Sequence, residues 1–180
     1  MILATPRMAA IDDILERWRA PLAHDFNGYR NHCCRVLSFC LALSGRNAGA
    51  VEKFAIAAAF HDLGIWTHHT FDYIGPSRTL ARDYLAETNR SHWAAEIETM
   101  IEQHHKMTAY TANPQWLVEP FRKADWVDVS KGLLKFGLPL ALVHRVMAEF
   151  PNMRFHQRLV VLGWRRFKTH PRSPLPMMRL

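Results

Sequence analysis

Cysteine, long apolar runs and internal repeats are all scarce in this 180-residue sequence. The three cysteines, Cys33, Cys34 and Cys40, are odd in number and close together, which does not fit a disulfide framework. No apolar run approaches the roughly 18–20 residues that a membrane-spanning helix needs, and the N-terminus lacks the pattern of a secretory signal. We therefore expect a cytoplasmic protein without a membrane partner, whose cysteines pack in the core.

Acidic residues are missing from the C-terminal end. Residues 1–150 carry 16 Lys and Arg against 16 Asp and Glu, whereas residues 151–180 carry seven basic residues and no acidic one. The larger part of the chain thus lacks the overall charge of a nucleic-acid binder. Arg154, Arg158 and Arg165 fall along one side of a predicted C-terminal helix, where they could touch nucleic acid or anionic membrane. We favour a solvated face.

The composition that remains is globular, with 49% hydrophobic and 22% charged residues in a chain about the size of one domain. Apolar residues recur at three- and four-residue steps, and no strand pair stands out. The sequence predicts an all-α, single-domain helical bundle over residues 1–180, with a core at about 24–130 and a basic C-terminal helix and tail at about 151–180. The predicted helices cover about 9–19, 25–44, 50–62, 76–87, 91–106, 115–130, 140–150 and 153–168. Pro21 is expected to end the first helix, residues 45–47 to form a turn, and the tail from His170 to be extended or mobile.

Two histidines and two aspartates fall on the apolar faces of three of these helices. They are His32, His61, Asp62 and Asp125. Arg30, Asn31 and Arg35 share the helix of His32 but are expected to point away from its apolar stripe. Leu63-Gly64 is expected to break the helix after Asp62, which would leave the His-Asp pair beside an opening.

Two imidazoles and two carboxylates form a set that suits Mn, Fe, Co, Ni, Zn or Mg better than a soft metal. A carboxylate on an apolar helix face is costly unless it is paired or bound to a cation. We therefore predict that His32, His61, Asp62 and Asp125 meet around one divalent metal ion. Four protein ligands leave room for water and a substrate oxygen, as metal-assisted hydrolysis requires.

The ordered pattern of one His, a His-Asp pair and a distant Asp resembles the HD superfamily of metal-dependent phosphohydrolases. The phrases that carry the resemblance are Gly28-Tyr29-Arg30-Asn31-His32, His61-Asp62-Leu63-Gly64, Gln103-His104-His105-Lys106 and Lys123-Ala124-Asp125. The resemblance implies a helical fold and a metal centre at His32, His61, Asp62 and Asp125. It also implies hydrolysis of a small phosphoester, such as a nucleotide, through a water on the metal.

Further residues are predicted to serve this chemistry. Alongside Asp62, the predicted catalytic residues are His104, His105 and Asp72. Either histidine could hold a phosphate or act as a general acid, and Asp72 could orient water or protonate the leaving group. Three basic residues are predicted to contact substrate phosphate: Arg30, Lys106 and Lys123.

Each of these residues also has a plain structural interpretation. His32 could be a core histidine, His61 could interact with the end of its helix, and Asp125 could pair with a neighbouring basic residue. The aromatic residues Trp66, Phe71 and Tyr73 could stack on a nucleobase, although packing of a loop onto the bundle explains them as well.

The number of metal ions divides the functional hypotheses. Relatives with two ions have extra histidines between the His-Asp pair and the last Asp. His104 or His105 could be one of these histidines, but the spacing indicates no clear second histidine. We therefore favour one metal ion and allow a second ion. The alternatives to hydrolysis are a non-hydrolytic metalloenzyme (a di-iron oxygenase, hydratase or lyase) and a catalytically silent binding module. A homodimer is a further expectation.

Overall fold

The chain folds into a series of helices, with the longest connections between α-helices of its second half at residues 104–117 and 130–139. In the computed structural model, residues 6–44 and 48–178 are described, and no strand occurs among them. The helices are α1 (Pro6–Glu16), α2 (Arg19–Leu22), α3 (Phe26–Ser44), α4 (Ala48–Phe60), α5 (Gly64–Thr67), α6 (Ile74–Glu87), α7 (Ala94–Gln103), α8 (Val118–Val129), α9 (Leu140–Glu149) and α10 (Phe155–Thr169). Short 3-10 segments cover Ala23–Asp25, Ser91–Trp93 and Pro176–Met178. The predicted all-α fold is confirmed.

Two central helices, α3 and α4, organise the bundle. Most of α3 is buried, and it packs against α8, α4 and α1. The alanines at 55, 57, 58 and 59 of α4 are fully buried. Alanine favours the helical state, and its small side chain allows neighbouring helices to approach closely. This close packing brings the C-terminal end of α4 against the N-terminal half of α3, where Tyr29 and Cys33 contact the Ala59 and Ala58 carbonyls.

Several predicted boundaries need correction. Pro21 does not end the first helix, because α1 already ends at Glu16 and Pro21 lies inside the single-turn helix α2. The helix of the His-Asp pair does break, but earlier than expected: α4 ends at Phe60, residues 61–63 form a turn, and Gly64 already begins the short helix α5. The turn predicted at 45–47 lies outside the described residues.

The C-terminal part packs onto the bundle. Phe155 at the start of α10 is buried and stacks on His32, with ring centroids 4.2 Å apart. The tail after α10 is not simply extended, because it forms a 3-10 turn in which Pro176 and Met177 are buried. None of the described helices combines the length and apolarity needed to cross a bilayer.

Candidate metal centre

The four predicted ligands converge where α3, α8 and the turn after α4 meet. His32 Nε2 and His61 Nε2 are 2.9 Å apart. An Asp62 carboxylate oxygen lies 3.8 Å from His32 Nε2 and 3.5 Å from His61 Nε2. An Asp125 oxygen lies 3.6 and 3.7 Å from the same two nitrogens. Two ligands bound about 2.1 Å from a common ion would lie about 3.0–3.4 Å apart, so this spacing suits a shared cation.

The two imidazoles present the same nitrogen to the centre. His61 Nδ1 lies 2.8 Å from the Ala58 carbonyl oxygen, which can only accept, so Nδ1 carries the proton. His32 Nδ1 lies 2.6 Å from a carboxylate oxygen of Asp128 and donates to it in the same way. Both Nε2 lone pairs therefore point inward, as a metal ligand requires.

Behind His32 lies a buried ion pair that our sequence analysis missed. Arg35 donates from Nε and Nη2 to the two carboxylate oxygens of Asp128, and the distance from Nη2 to its acceptor oxygen is 2.9 Å. Arg35 Nη1 also donates to the Phe150 carbonyl at 2.8 Å. Arg35 and Asp128 are fully buried, so the expectation that Arg35 points away from the core is wrong. The sequence feature that points to this pair is spacing. Arg35 follows His32 by three positions and Asp128 follows Asp125 by three, so each lies beside a predicted ligand on its own helix.

A second group of possible ligands shares Asp62. His104 Nε2 lies 3.4 Å from the other Asp62 oxygen, and His105 contributes a further nitrogen to the same group. His104 Nδ1 donates to the Ile101 carbonyl at 2.6 Å, which again turns Nε2 toward the carboxylate. His105 Nε2 lies 2.5 Å from the Tyr73 hydroxyl. Both adjacent histidines thus face the site, which helical spacing alone did not establish.

Burial sets the electrostatics of the cluster. It raises the pKa of Asp125 to about 7 and lowers the pKa of His61 to about 3. It also acts to raise the pKa of Asp62, but His61 and His104 outweigh it and hold that pKa well below its usual range. Burial acts to lower the pKa of His104, yet Asp62 and Asp125 leave it raised. A cation at the centre would offset the cost that burial imposes on the carboxylates.

Buried polar atoms without a hydrogen-bond partner show whether these residues suit a metal ion. Both carboxylate oxygens of Asp125, one oxygen of Asp62 and Nε2 of His104 are buried without a hydrogen-bond partner. Unsatisfied buried polar atoms are rare in folded proteins, and these four belong to residues that could ligate a metal. The oxygen and nitrogen donors suit the divalent ions that we predicted.

The remaining predicted residues lie around the cluster. Arg30 pairs with Asp12 on α1, at 2.5 and 2.8 Å. Lys123 lies 3.4 Å from Glu119 on its own helix. Lys106 is half-buried just after His105, and its carbonyl accepts from Arg122 and Trp126. Asp72 is exposed, between α5 and α6.

The functional roles predicted for these four residues stay predictions.

The three cysteines are free and buried, which confirms that they pack in the core.

The family comparison covers this cluster. The model of the HD domain family matches residues 29–131. The chain belongs to the HD domain family. Comparisons with curated proteins and with solved structures give no match. The family assignment predicted from the motifs is therefore confirmed by the family match alone.

The HD domain match includes the whole cluster and the second group of histidines. HD domains typically bind divalent metal ions and form a metal-dependent phosphohydrolase-type family, and the His and Asp groups here could hold such an ion. The match ends at the close of α8, so α9 and α10 lie beyond it. Phe150, directly after α9, and Phe155, the first residue of α10, nevertheless contact Arg35 and His32 respectively.

Proposed function

We propose that this HD domain is a metal-dependent phosphohydrolase acting on a small phosphoester. The observation that supports this most strongly is the convergence of two inward-facing Nε2 atoms and two buried carboxylates, whose free oxygens have no partner in the protein. His32, His61, Asp62 and Asp125 would hold the ion. When bound, a divalent ion supplies Lewis-acid chemistry and makes water nucleophilic near neutral pH.

The chain's own residues have separate tasks in this proposal. Asp128 and the Ala58 carbonyl fix the imidazoles of His32 and His61 in the tautomer that binds a metal. Burial acts to lower the pKa of His104, but Asp62 and Asp125 leave it raised, which favours His104 as the group that would give a proton to a leaving oxygen. The Tyr73 hydroxyl fixes the ring of His105. Lys106 and Lys123 would neutralise phosphate charge from the rim.

The shared Asp62 favours one alternative function. Two groups of ligands that meet at one carboxylate could hold two ions, through His32 and His61 on one side and His104 and His105 on the other. A pair of iron ions would open oxygenase chemistry to this scaffold. A di-iron oxygenase is therefore the second candidate, and metal content distinguishes the two.

Replacement of Asp62 tests the proposal directly. Purified wild-type protein should contain a stoichiometric divalent ion by plasma mass spectrometry, and it should hydrolyse a phosphomonoester with added Mn, Co, Ni or Mg. Asp62→Ala removes a carboxylate shared by both ligand groups, so metal content and turnover should both be lost. Asp13→Ala, at an exposed position on α1, is the matched control and should keep both.

Two results would reject hydrolysis. Protein that holds no ion and gains no activity from any of the four metals has no metal centre of the proposed kind. Protein that holds two iron ions, consumes oxygen and leaves phosphoesters intact is the second candidate instead.

A further inference from the structure

An apolar cleft opens beside the second ligand group. Its volume is about 490 Å³, within the range of about 300–1,000 Å³ that is usual for small-molecule sites. The walls come from the segment before α6, from α8, from α10 and from the C-terminal 3-10 turn. The lining residues are Phe71, Tyr73, His105, Trp126, Val129, Leu159, Val160, Gly163, Trp164, Phe167, Leu175, Met177 and Met178.

One end of this apolar cleft belongs to the candidate metal centre. His105 lines the cleft, and its Nδ1 lies 3.8 Å from an Asp125 oxygen. Tyr73 lines it too and contacts the other nitrogen of that imidazole. Trp126 follows Asp125 directly on α8. A molecule seated in the cleft would therefore reach the reacting centre with its nearer end.

The cleft offers little to a polar ligand. Four of the lining side chains carry five nitrogen and oxygen atoms between them, and three of those atoms are already engaged. The Tyr73 hydroxyl and His105 Nε2 contact each other, and Trp126 Nε1 donates to the Lys106 carbonyl at 3.3 Å. Of the other two, His105 Nδ1 faces Asp125 at the candidate metal centre, and the nitrogen of Trp164 belongs to a side chain on the exposed rim. A nucleobase or ribose buried here would leave its own polar groups without partners, which is unfavourable.

We propose that the apolar cleft binds the hydrocarbon part of the substrate, so that the preferred substrate is a phosphate monoester of an aryl or alkyl alcohol and not a nucleotide. This proposal rests on the proposed hydrolase function. In the reaction, water replaces the alcohol on phosphorus, the P–O bond to the alcohol breaks, and the products are the free alcohol and inorganic phosphate. The leaving alcohol takes up a proton and stays in the cleft, where His105 and Tyr73 lie at its polar end.

Gly163 provides a way to fill the cleft. It lies within α10, and a Cβ at this position would be 3.7 Å from the Phe71 ring, an ordinary contact. Gly163→Leu should therefore occupy the cleft without a backbone clash. Val160→Glu is the second variant, because Val160 is exposed and lines the rim. Gln157→Leu, on an exposed part of α10 outside the cleft, is the control.

The first measurement is independent of catalysis. The uncharged probe N-phenyl-1-naphthylamine becomes fluorescent in an apolar site, and it is titrated into metal-depleted protein. Wild type and Gln157→Leu should bind it alike, whereas Gly163→Leu and Val160→Glu should each weaken binding at least tenfold. Circular dichroism checks that the variants are folded. Absence of probe binding to wild type, or equal binding by all four proteins, overturns the apolar site.

The second measurement compares substrates in metal-loaded protein. The kcat/KM for 1-naphthyl phosphate should exceed that for adenosine 5'-monophosphate at least tenfold, and Gly163→Leu should remove the difference. A preference for the nucleotide overturns the substrate assignment. If no phosphoester is hydrolysed, the proposed function has failed and the probe titration alone decides on the cleft. If Gly163→Leu converts a dimer into a monomer during sedimentation, the cleft is a contact between copies of the chain and the proposal is wrong.

Discussion

Asp128→Asn should cost far more stability than the loss of one surface carboxylate. Asp128 accepts two hydrogen bonds from Arg35 and one from His32, all of them buried. Hydrogen bonds to charged groups contribute about 1.5–3 kcal/mol each, so the three bonds together set an upper limit on the stability that Asp128→Asn can lose. The loss should stay below that limit because asparagine keeps one acceptor oxygen. Removal of one member of a buried ion pair typically costs about 3–5 kcal/mol, and we expect a loss in that range. At a slope of about 2 kcal/mol/M in urea, the unfolding midpoint should fall by about 2 M.

The assay is urea unfolding followed by circular dichroism, in a chelator so that metal binding does not add to stability. The control is Glu16→Gln, because Glu16 accepts two bonds from Arg19 on the surface, both at 2.7 Å. The bond geometry is similar but both side chains are more than half exposed, so solvent screening should leave the midpoint almost unchanged. Equal shifts for the two variants would refute the argument from burial. Because Asp128 also orients His32, metal affinity should fall by about 10–100-fold in Asp128→Asn.

Two further predictions concern the rest of the fold. In Gly64→Ala the new Cβ would lie 2.6 Å from the Tyr73 carbonyl oxygen, so thermal unfolding should show a loss of about 1–3 kcal/mol. In Gly75→Ala the new Cβ meets nothing within 4 Å, so this variant should be as stable as wild type or more stable. If Gly75→Ala lost more stability than Gly64→Ala, the predicted clash with Tyr73 would be wrong. The Arg82 hydrogen bond holds the pKa of Glu98 below its usual range. The stability that it provides should be present above the unfolded pKa and lost as pH falls through the folded one. Glu98→Gln should thus cost about 0.5–1 kcal/mol at pH 7 and nothing near pH 2. A difference from wild type that is the same at both pH values would exclude Glu98 ionisation as its cause.

The sequence predicted the helices well because their apolar residues recur at helical spacing. Asp125 and His32 were assigned to inward faces on that pattern, and both are buried. Helix ends were less certain. Pro21 was expected to stop a helix, yet it lies within the short α2, where a proline near the first turn costs little.

The pattern failed at polar residues that pair with each other. Arg35 was expected to point away from the apolar stripe of its helix, yet it is fully buried. Its partner Asp128 lies 93 positions away in the sequence; the three-residue spacing places Arg35 near His32 and Asp128 near Asp125 on their own helices, but it does not show that the two side chains meet. The pair became visible only when α3 and α8 were packed side by side.

From the order of residues alone came the HD motif, the all-helical fold and the choice of candidate ligand residues, because each follows from local spacing and side-chain chemistry. Packing decided that His32 Nδ1 donates to Asp128, that His104 and His105 both approach Asp62, and that an apolar cleft lies at their side. Those features depend on segments that are far apart in the chain meeting in space. Contacts between distant segments are set by the shapes of whole helices, and no stretch of the chain encodes them by itself.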